Sequence, residues 1–315
     1  MAYDFEFEQP LAALEKKIAD LQGSGEGLPL DEQPLARELQ QCARDIYTNL
    51  SSWQTVQLAR HKDRPNAADY IRLIFDDFFE LHGDRTFADD HAIIAGFALL
   101  EGKTVMLLCH QKGRGTKEKI FRNSGMPHPE GYRKAHRLMR QAEKFGIPIV
   151  TFIDTAGASI TVEDEERGQA TSIAENLFLM AELRTPIVAV VIGEGGSGGA
   201  LAISVADRIL MLEHAIYTVA APEAAASILY HDTAFASQAA NSMRISAREL
   251  KAINLIDELI PEPLGGAHHN HQQAAESLKT VLLRHIEELY HYSTKTLLQQ
   301  RHQKFRRIGV FDVVL

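Results

Sequence analysis

PIVAVVIGEGGSGGAL, residues 186–201, runs from an unbroken Val/Ile segment into a stretch in which Gly193, Gly195, Gly196, Gly198 and Gly199 leave the backbone nearly bare. Its first half lacks the apolar/polar alternation of a half-exposed strand. Continuous β-branched runs of this kind mark strands covered on both faces, as in parallel sheets. Its second half predicts a short helix over about Gly198 to Ala206, followed by another apolar strand, RILMLE (208–213). Ligands in open α/β sheets bind beyond the carboxyl ends of strands, so bare backbone at this point is a candidate site.

Two literal motifs compete for the glycines. Gly193, Gly195 and Gly198 match G-x-G-x-x-G, with Glu213 twenty residues further on. A dinucleotide fingerprint belongs to the first βαβ unit of its domain, whereas here at least three strands precede it, and the helix is short. Gly195, Ser197 and Gly199 match G-x-S-x-G, yet no Asp and His follow later strands in the order a nucleophile elbow requires. A P-loop needs Lys-Ser/Thr after the glycines, and none is there. What remains is an amide cradle. A helix N-terminus offers unpaired N–H groups, glycines keep Cβ atoms away, and preorganised amides stabilise a developing oxyanion. DTAGAS (154–159), again small residues after a strand (IPIVTFID, 147–154), is the natural facing loop.

Outward from this centre, strands alternate with amphipathic helices. AADYIRLIFDDFFELH (67–82) reads as a helix, and AIIAGFALLEGKTVMLLCHQKG (92–113) as two strands turning at Glu101-Gly102. GYRKAHRLMRQAEKFG (131–146) is helical and stopped by Gly146, and EERGQATSIAENLFLMAELR (165–184) reads as one helix. The alternation gives the α/β class. Residues 1–64 read as a helical extension: two amphipathic helices separated by GSGEGLPLDEQP (23–34), serving as an interaction element. The α/β domain spans 65–315, and its last third is helical, with Ser246 and Glu249 forming an S-x-x-E capping box.

The 315 residues carry a net charge of −9, which argues against a nucleic-acid-binding surface. Two isolated cysteines, Cys42 and Cys109, make neither a disulfide framework nor a zinc site. No signal peptide or membrane span is legible, so a cytoplasmic protein is expected. Lys112, Arg114 and Lys117, in the basic loop after the second strand, are candidates for holding phosphates or equally a solvated face. His268, His269 and His271 sit in the loop PEPLGGAHHNH without metal-ligand spacing, and no metal is expected in this chain.

FEQPLAALEKKI, HQKGRGTKEKIFRNSGMPHPEGYRKAHRLM, FIDTAGA, EERGQ, VIGEGGSGGALAI, ASILY and LKAINLIDELIPEPLGGAHHN follow one another across nearly the whole chain. Together they closely resemble the α subunits of bacterial acetyl-CoA carboxylase carboxyltransferase. The resemblance implies a crotonase-like ββα superhelix behind the helical extension. It implies carboxyl transfer from carboxybiotin on a biotinyl carrier protein to acetyl-CoA, giving malonyl-CoA for fatty acid biosynthesis. It also implies a zinc-ribbon β-type partner in an α2β2-type assembly. By the family pattern, the amides of Gly198 and Gly199 form the oxyanion hole, with Ala156 and Gly157 on the facing loop. Gly195, Gly196, Ser197, Ser159, Glu223 and Ala224 then line the biotin side, and Lys112, Arg114 and Lys117 stay candidates for the CoA phosphates on their charge alone.

The chain departs from that pattern in loops that should line the site. DTAGASIT stands where the family has DTPGAYPG, PEAAAS where it has PEGCAS, and Gly115 replaces an acidic residue. If Thr161 had to adopt the glycine's positive φ it would be strained, so a re-routed loop is expected. The clustering admits a divergent paralogue, with an altered acceptor or as a non-catalytic partner subunit. A stand-alone acyl-CoA hydratase or isomerase of the same fold is a third reading.

Overall fold

A computed structural model describes residues 3–24 and 29–309, with side chains described outside 22–33. The helical start comprises α1 (Gln9–Ser24), α2 (Pro29–Thr48) and α3 (Ser52–Ala59). The break expected over residues 23–34 is shorter than the sequence suggests, because the backbone is already helical from Pro29. Leu11, Ala43, Tyr47 and Leu58 bury a satellite core between these helices. Val56 and Ala59 of α3 pack on Ile216, Ala240 and Ile245 of the α/β body.

Next come α4 (Ala67–Ile74), β1 (Asp76–Glu80), β2 (Ile93–Leu100), β3 (Lys103–His110), α5 (Gly115–Phe121), α6 (Pro129–Phe145) and β4 (Ile149–Thr155). The helix expected to run through residue 82 stops at Ile74, and DDFFE is a strand. β1 takes the open edge of β2, and ladder hydrogen bonds there outweigh a helical periodicity carried by few residues. Gly96 permits this pairing, since a Cβ there would run into the Phe79 carbonyl. Glu101 and Gly102 both have positive φ (48° and 75°), the requirement of a tight two-residue hairpin turn. Gly146, at φ 64°, ends α6 as expected.

α7 (Val162–Glu166) and α8 (Gln169–Glu182) replace the single helix expected over 165–184, because Gly168 at φ 83° breaks it. Then follow β5 (Ile187–Gly196), α9 (Ser197–Leu201), β6 (Arg208–Leu212), β7 (Ile216–Thr218), α10 (Pro222–Tyr230), α11 (Ala236–Met243), α12 (Ala247–Ala252) and β8 (Glu258–Ile260). α13 (His271–Tyr290) and α14 (Thr294–Arg306) close the chain. The capping box of Ser246 and Glu249 opens α12.

The eight-stranded sheet has the order β1-β2-β3-β4-β5-β6-β8, with β7 pairing the far end of β5. β1, β2 and β3 pair antiparallel, and the ladders from β3 to β8 are parallel. Every residue of β4 and β5 is buried, which explains their unpatterned apolar sequences. α4, α6, α8 and α13 supply most of the helical side of one continuous core. The architecture is a crotonase-type α/β fold with a helical N-terminal extension and a helical C-terminal region. Buried Arg301 fixes the end of the chain: its guanidinium donates to Asp207 Oδ1 and Oδ2 (2.8 and 2.7 Å) and to the Met180, Leu183 and Thr185 carbonyls. It thereby holds α14 against the end of α8 and beside β6.

Candidate active site

The site follows from how β5 ends. Thr155, the last residue of β4, lies opposite Gly195, so the 154–161 loop leaves the sheet directly over the glycines. A Cβ on Gly196 would overlap the Ala156 carbonyl, and one on Gly199 would sit 2.5 Å from the Ala158 nitrogen. These two glycines are contact points between backbones. Gly198 is different: a Cβ there would meet only the Ile173 side chain, at 3.8 and 4.0 Å, ordinary contacts. Its backbone is half-exposed, and as the second residue of α9 its N–H has no carbonyl one turn earlier to bond. Ser197 turns the chain at φ 53°, leaving its side chain exposed. Beside Gly198 opens an apolar cavity of about 350 Å³, lined by Leu201, Tyr217, Val219, Leu250, Phe305 and Ile308 among others.

The facing loop is pinned by polar side chains. The Ser159 amide donates to the Pro127 carbonyl (2.9 Å), and Gln169 Nε2 donates to the carbonyls of Pro127 and Ser159 (2.8 Å each). Thr161 has φ −77° and caps α7, its hydroxyl exchanging hydrogen bonds with Asp164. The loop therefore places no positive φ on Thr161, and the threonine sits there without backbone strain. Asp164 is buried and also bonds His128 Nδ1 (2.7 Å) and Arg167. Burial alone would raise its pKa, but bonds from Ser159, His128 and Thr161 bring it down to about 2. Ala156 and Ile160 remain exposed on the loop's outer face, and Ser159 is buried beneath it.

Under the cradle runs a chain of charges. Arg60 Nε and Nη2 donate to Glu194 Oε1 (2.8 and 2.6 Å), and Arg60 Nη1 donates to Glu223 Oε1 (2.6 Å). Lys112 Nζ donates to Glu194 Oε2 (3.0 Å) and lies 2.9 Å from Asp154 Oδ1. Asp154 Oδ1 in turn accepts the Glu194 amide (3.0 Å). Burial works against the charge of Glu194, yet Lys112 and Arg60 hold its pKa below the usual carboxylate value. Burial likewise opposes the Lys112 ammonium, and Asp154 with Glu194 overrides it, raising its pKa.

This placement bears on the phosphate candidates. Lys112 is engaged by two carboxylates below β5, and Arg114 pairs with Asp69 (2.7 Å). Of the three candidates, Lys117 alone is exposed and makes no ion pair with the described residues. The fork that holds Glu223 places α10 beside the cradle, and Ala224, next in that helix, is exposed. Arg60 and Arg64 were not legible as site residues. Arg64 donates to the Ile192 carbonyl of β5 (2.9 Å) and, bidentately, to buried Glu262 (2.9 and 2.6 Å). Their partners lie far along the chain, and no local spacing signals them.

The model of the acetyl co-enzyme A carboxylase carboxyltransferase-like family matches residues 4–309. The chain belongs to that family. The carboxyltransferase subunit α of Geobacter metallireducens is 52% identical over 312 residues, covering 98% of both chains. That of Heliobacterium modesticaldum is 52% identical over 314 residues, covering 98% of this chain and 94% of its relative. The transcarboxylase 12S structure with methylmalonyl-coenzyme A and methylmalonic acid bound superposes with a TM-score of 0.60 at 18% identity, over 75% of this chain and 44% of that one. That last likeness speaks to the fold. Similarity to α subunits over nearly the full length, at 52% identity, favours the carboxyltransferase reading over a hydratase, an isomerase or a non-catalytic paralogue. This family member is a transferase subunit that works with a partner subunit. No helix among its described residues is long and apolar enough to cross a membrane.

Proposed function

We propose that this subunit, with a zinc-ribbon β-type partner in an α2β2-type assembly, moves a carboxyl group from carboxybiotin on a biotinyl carrier protein to acetyl-CoA. The observation that carries the reading is the open amide of Gly198 beside an apolar cavity, held in place by the interlock of Gly196 and Gly199 with the facing loop. A bicyclic ring system with an apolar thioether edge and a polar ureido edge suits a cavity whose wall is aliphatic and aromatic and which opens beside the Gly198 backbone. Biotin, when bound, supplies the transferable carboxyl group, and its ureido oxygen carries negative charge once that group leaves.

The chain's own contribution is positional. The Gly198 and Gly199 amides face the developing oxyanion, and no protein nucleophile is required. Ala156 and Gly157 bound the cradle opposite, and Gly195, Gly196 and Ser197 form its floor and rim. Ser159 acts from beneath by fixing the loop's path. Glu223 and Ala224 border the biotin side, where Arg60 keeps Glu223 neutralised. Lys112 keeps the end of β5 rigid by satisfying Asp154 and Glu194, which leaves Lys117 as the cation available to CoA phosphates and Arg114 as a weaker contributor. Residues 1–64 serve as an interaction element, and the cytoplasm is the working compartment.

The test is biotin-dependent decarboxylation of malonyl-CoA by the complex purified with its β-type subunit. Gly198→Val keeps the backbone N–H but sets a branched side chain beside it, so it should assemble normally and lose about a hundredfold in rate, the scale of denying one oxyanion contact. Unchanged activity in an intact complex would refute the cradle.

A further inference from the structure

We propose that Glu8, His268 and His269 form a site for a borderline divalent transition metal such as Zn²⁺, tying the N-terminal segment to the loop before α13. One ligand atom from each residue lies within 4.8 Å of the others. Glu8 is buried, and its carboxylate is oriented by Tyr47, whose hydroxyl donates to Oε1 (2.6 Å), and by the Phe5 amide, which donates to Oε2 (3.0 Å). Each oxygen keeps a lone pair, and such outer hydrogen bonds are what aim a carboxylate at a metal.

The histidines come from a loop shaped around their rings. Gly265 and Gly266 have φ of 94° and 112°, and a Cβ on them would lie 2.7 Å from His269 Nε2 and 3.0 Å from His268 Nδ1. His268 Nδ1 is buried with no hydrogen-bond partner, an uncommon and costly state for a polar atom. His61 stacks on His268 at 3.9 Å between ring centroids, but both its nitrogens are engaged, with Asp4 and with the Asp63 amide. It is therefore a wall, and the fourth position falls to water. Two imidazoles and one carboxylate are a donor set that suits Zn²⁺ better than Ca²⁺ or Mg²⁺. The paired histidines alone gave no metal spacing, because the third ligand stands 260 residues earlier.

The experiment titrates the metal-free, untagged chain with Zn²⁺ against a chromophoric chelator, with Co²⁺ absorbance reporting coordination geometry. Wild type should bind one equivalent at micromolar affinity or tighter, with Co²⁺ d–d bands and a raised Tm. His269→Gln and Glu8→Gln should each weaken binding at least tenfold while keeping carboxyl transfer, which certifies their folding. Absence of binding by wild type would overturn the proposal, as would unchanged affinity in both folded variants. Loss of binding in His61→Asn alone would also overturn it, by placing the metal at the neighbouring Asp4, His61 and Asp63.

Discussion

At the scale of single residues, the glycines of one run have different jobs. Gly199 is glycine because the Gly157–Ala158 backbone occupies its Cβ position. Gly199→Ala should therefore cost about 1–3 kcal/mol, the usual price of overpacking, and lower Tm measurably in thermal unfolding. Gly198 meets no such neighbour, so Gly198→Ala should leave Tm within about 1–2 °C of wild type and act on rate alone. A stability loss equal to that of Gly199→Ala would mean that the openness at Gly198 is filled by protein, which would leave no room for a ligand. The sequence shows five equivalent-looking glycines, and only their neighbours distinguish them.

At the scale of elements, the 154–161 loop illustrates how one path can be held by different means. A loop with prolines restricts φ covalently. Here Gln169, Ser159, Thr161 and Asp164 hold it through hydrogen bonds. Thr161→Ala removes the cap of α7 and should cost about 1 kcal/mol. Asp164→Ala should cost more, about 2–4 kcal/mol, because it also strips His128 and Arg167 of a buried partner. Both are checked by urea unfolding, and equal effects would show that the Asp164 cluster contributes no more than the cap. The hairpin at Glu101-Gly102, the stop at Gly146 and the box at Ser246 were legible because each is a local rule. β1, β7 and β8 were not, since short edge and terminal strands exist only through their pairing partners.

At the scale of the whole molecule, buried histidines set the acid limit. His110 is fully buried with neither nitrogen paired, and burial, with Lys112 nearby, pushes its pKa down to about 3. Its folded value lies below its unfolded one, so its stabilising contribution is complete above about pH 6.5 and is lost as pH falls toward 3. His268, also pushed down to about 3 by burial and by His61 and His269, adds to the same window. Glu262, held down to about 2 by Arg64 despite burial, contributes above about pH 4.5 and loses its contribution only below that. His110→Leu should flatten the fall in unfolding free energy between pH 6.5 and 5 by about 2 kcal/mol, at 1.36 kcal/mol per unit. Urea titrations at the two pH values decide it, and an undiminished fall would exonerate His110.

The sequence by itself determined the class of fold, the buried central strands and the family, through long motifs in fixed order, and it singled out the glycine run as a candidate ligand end of the sheet. These are properties of contiguous residues, where periodicity and turn chemistry act over a few positions. Tertiary structure alone decided which glycine is open, that Lys112 serves Asp154 and Glu194, that Arg60 and Arg64 reach under β5, and that Glu8 meets His268 and His269. Each of those depends on atoms more than forty residues apart or on the space left between two backbones, and neither quantity is encoded in local spacing.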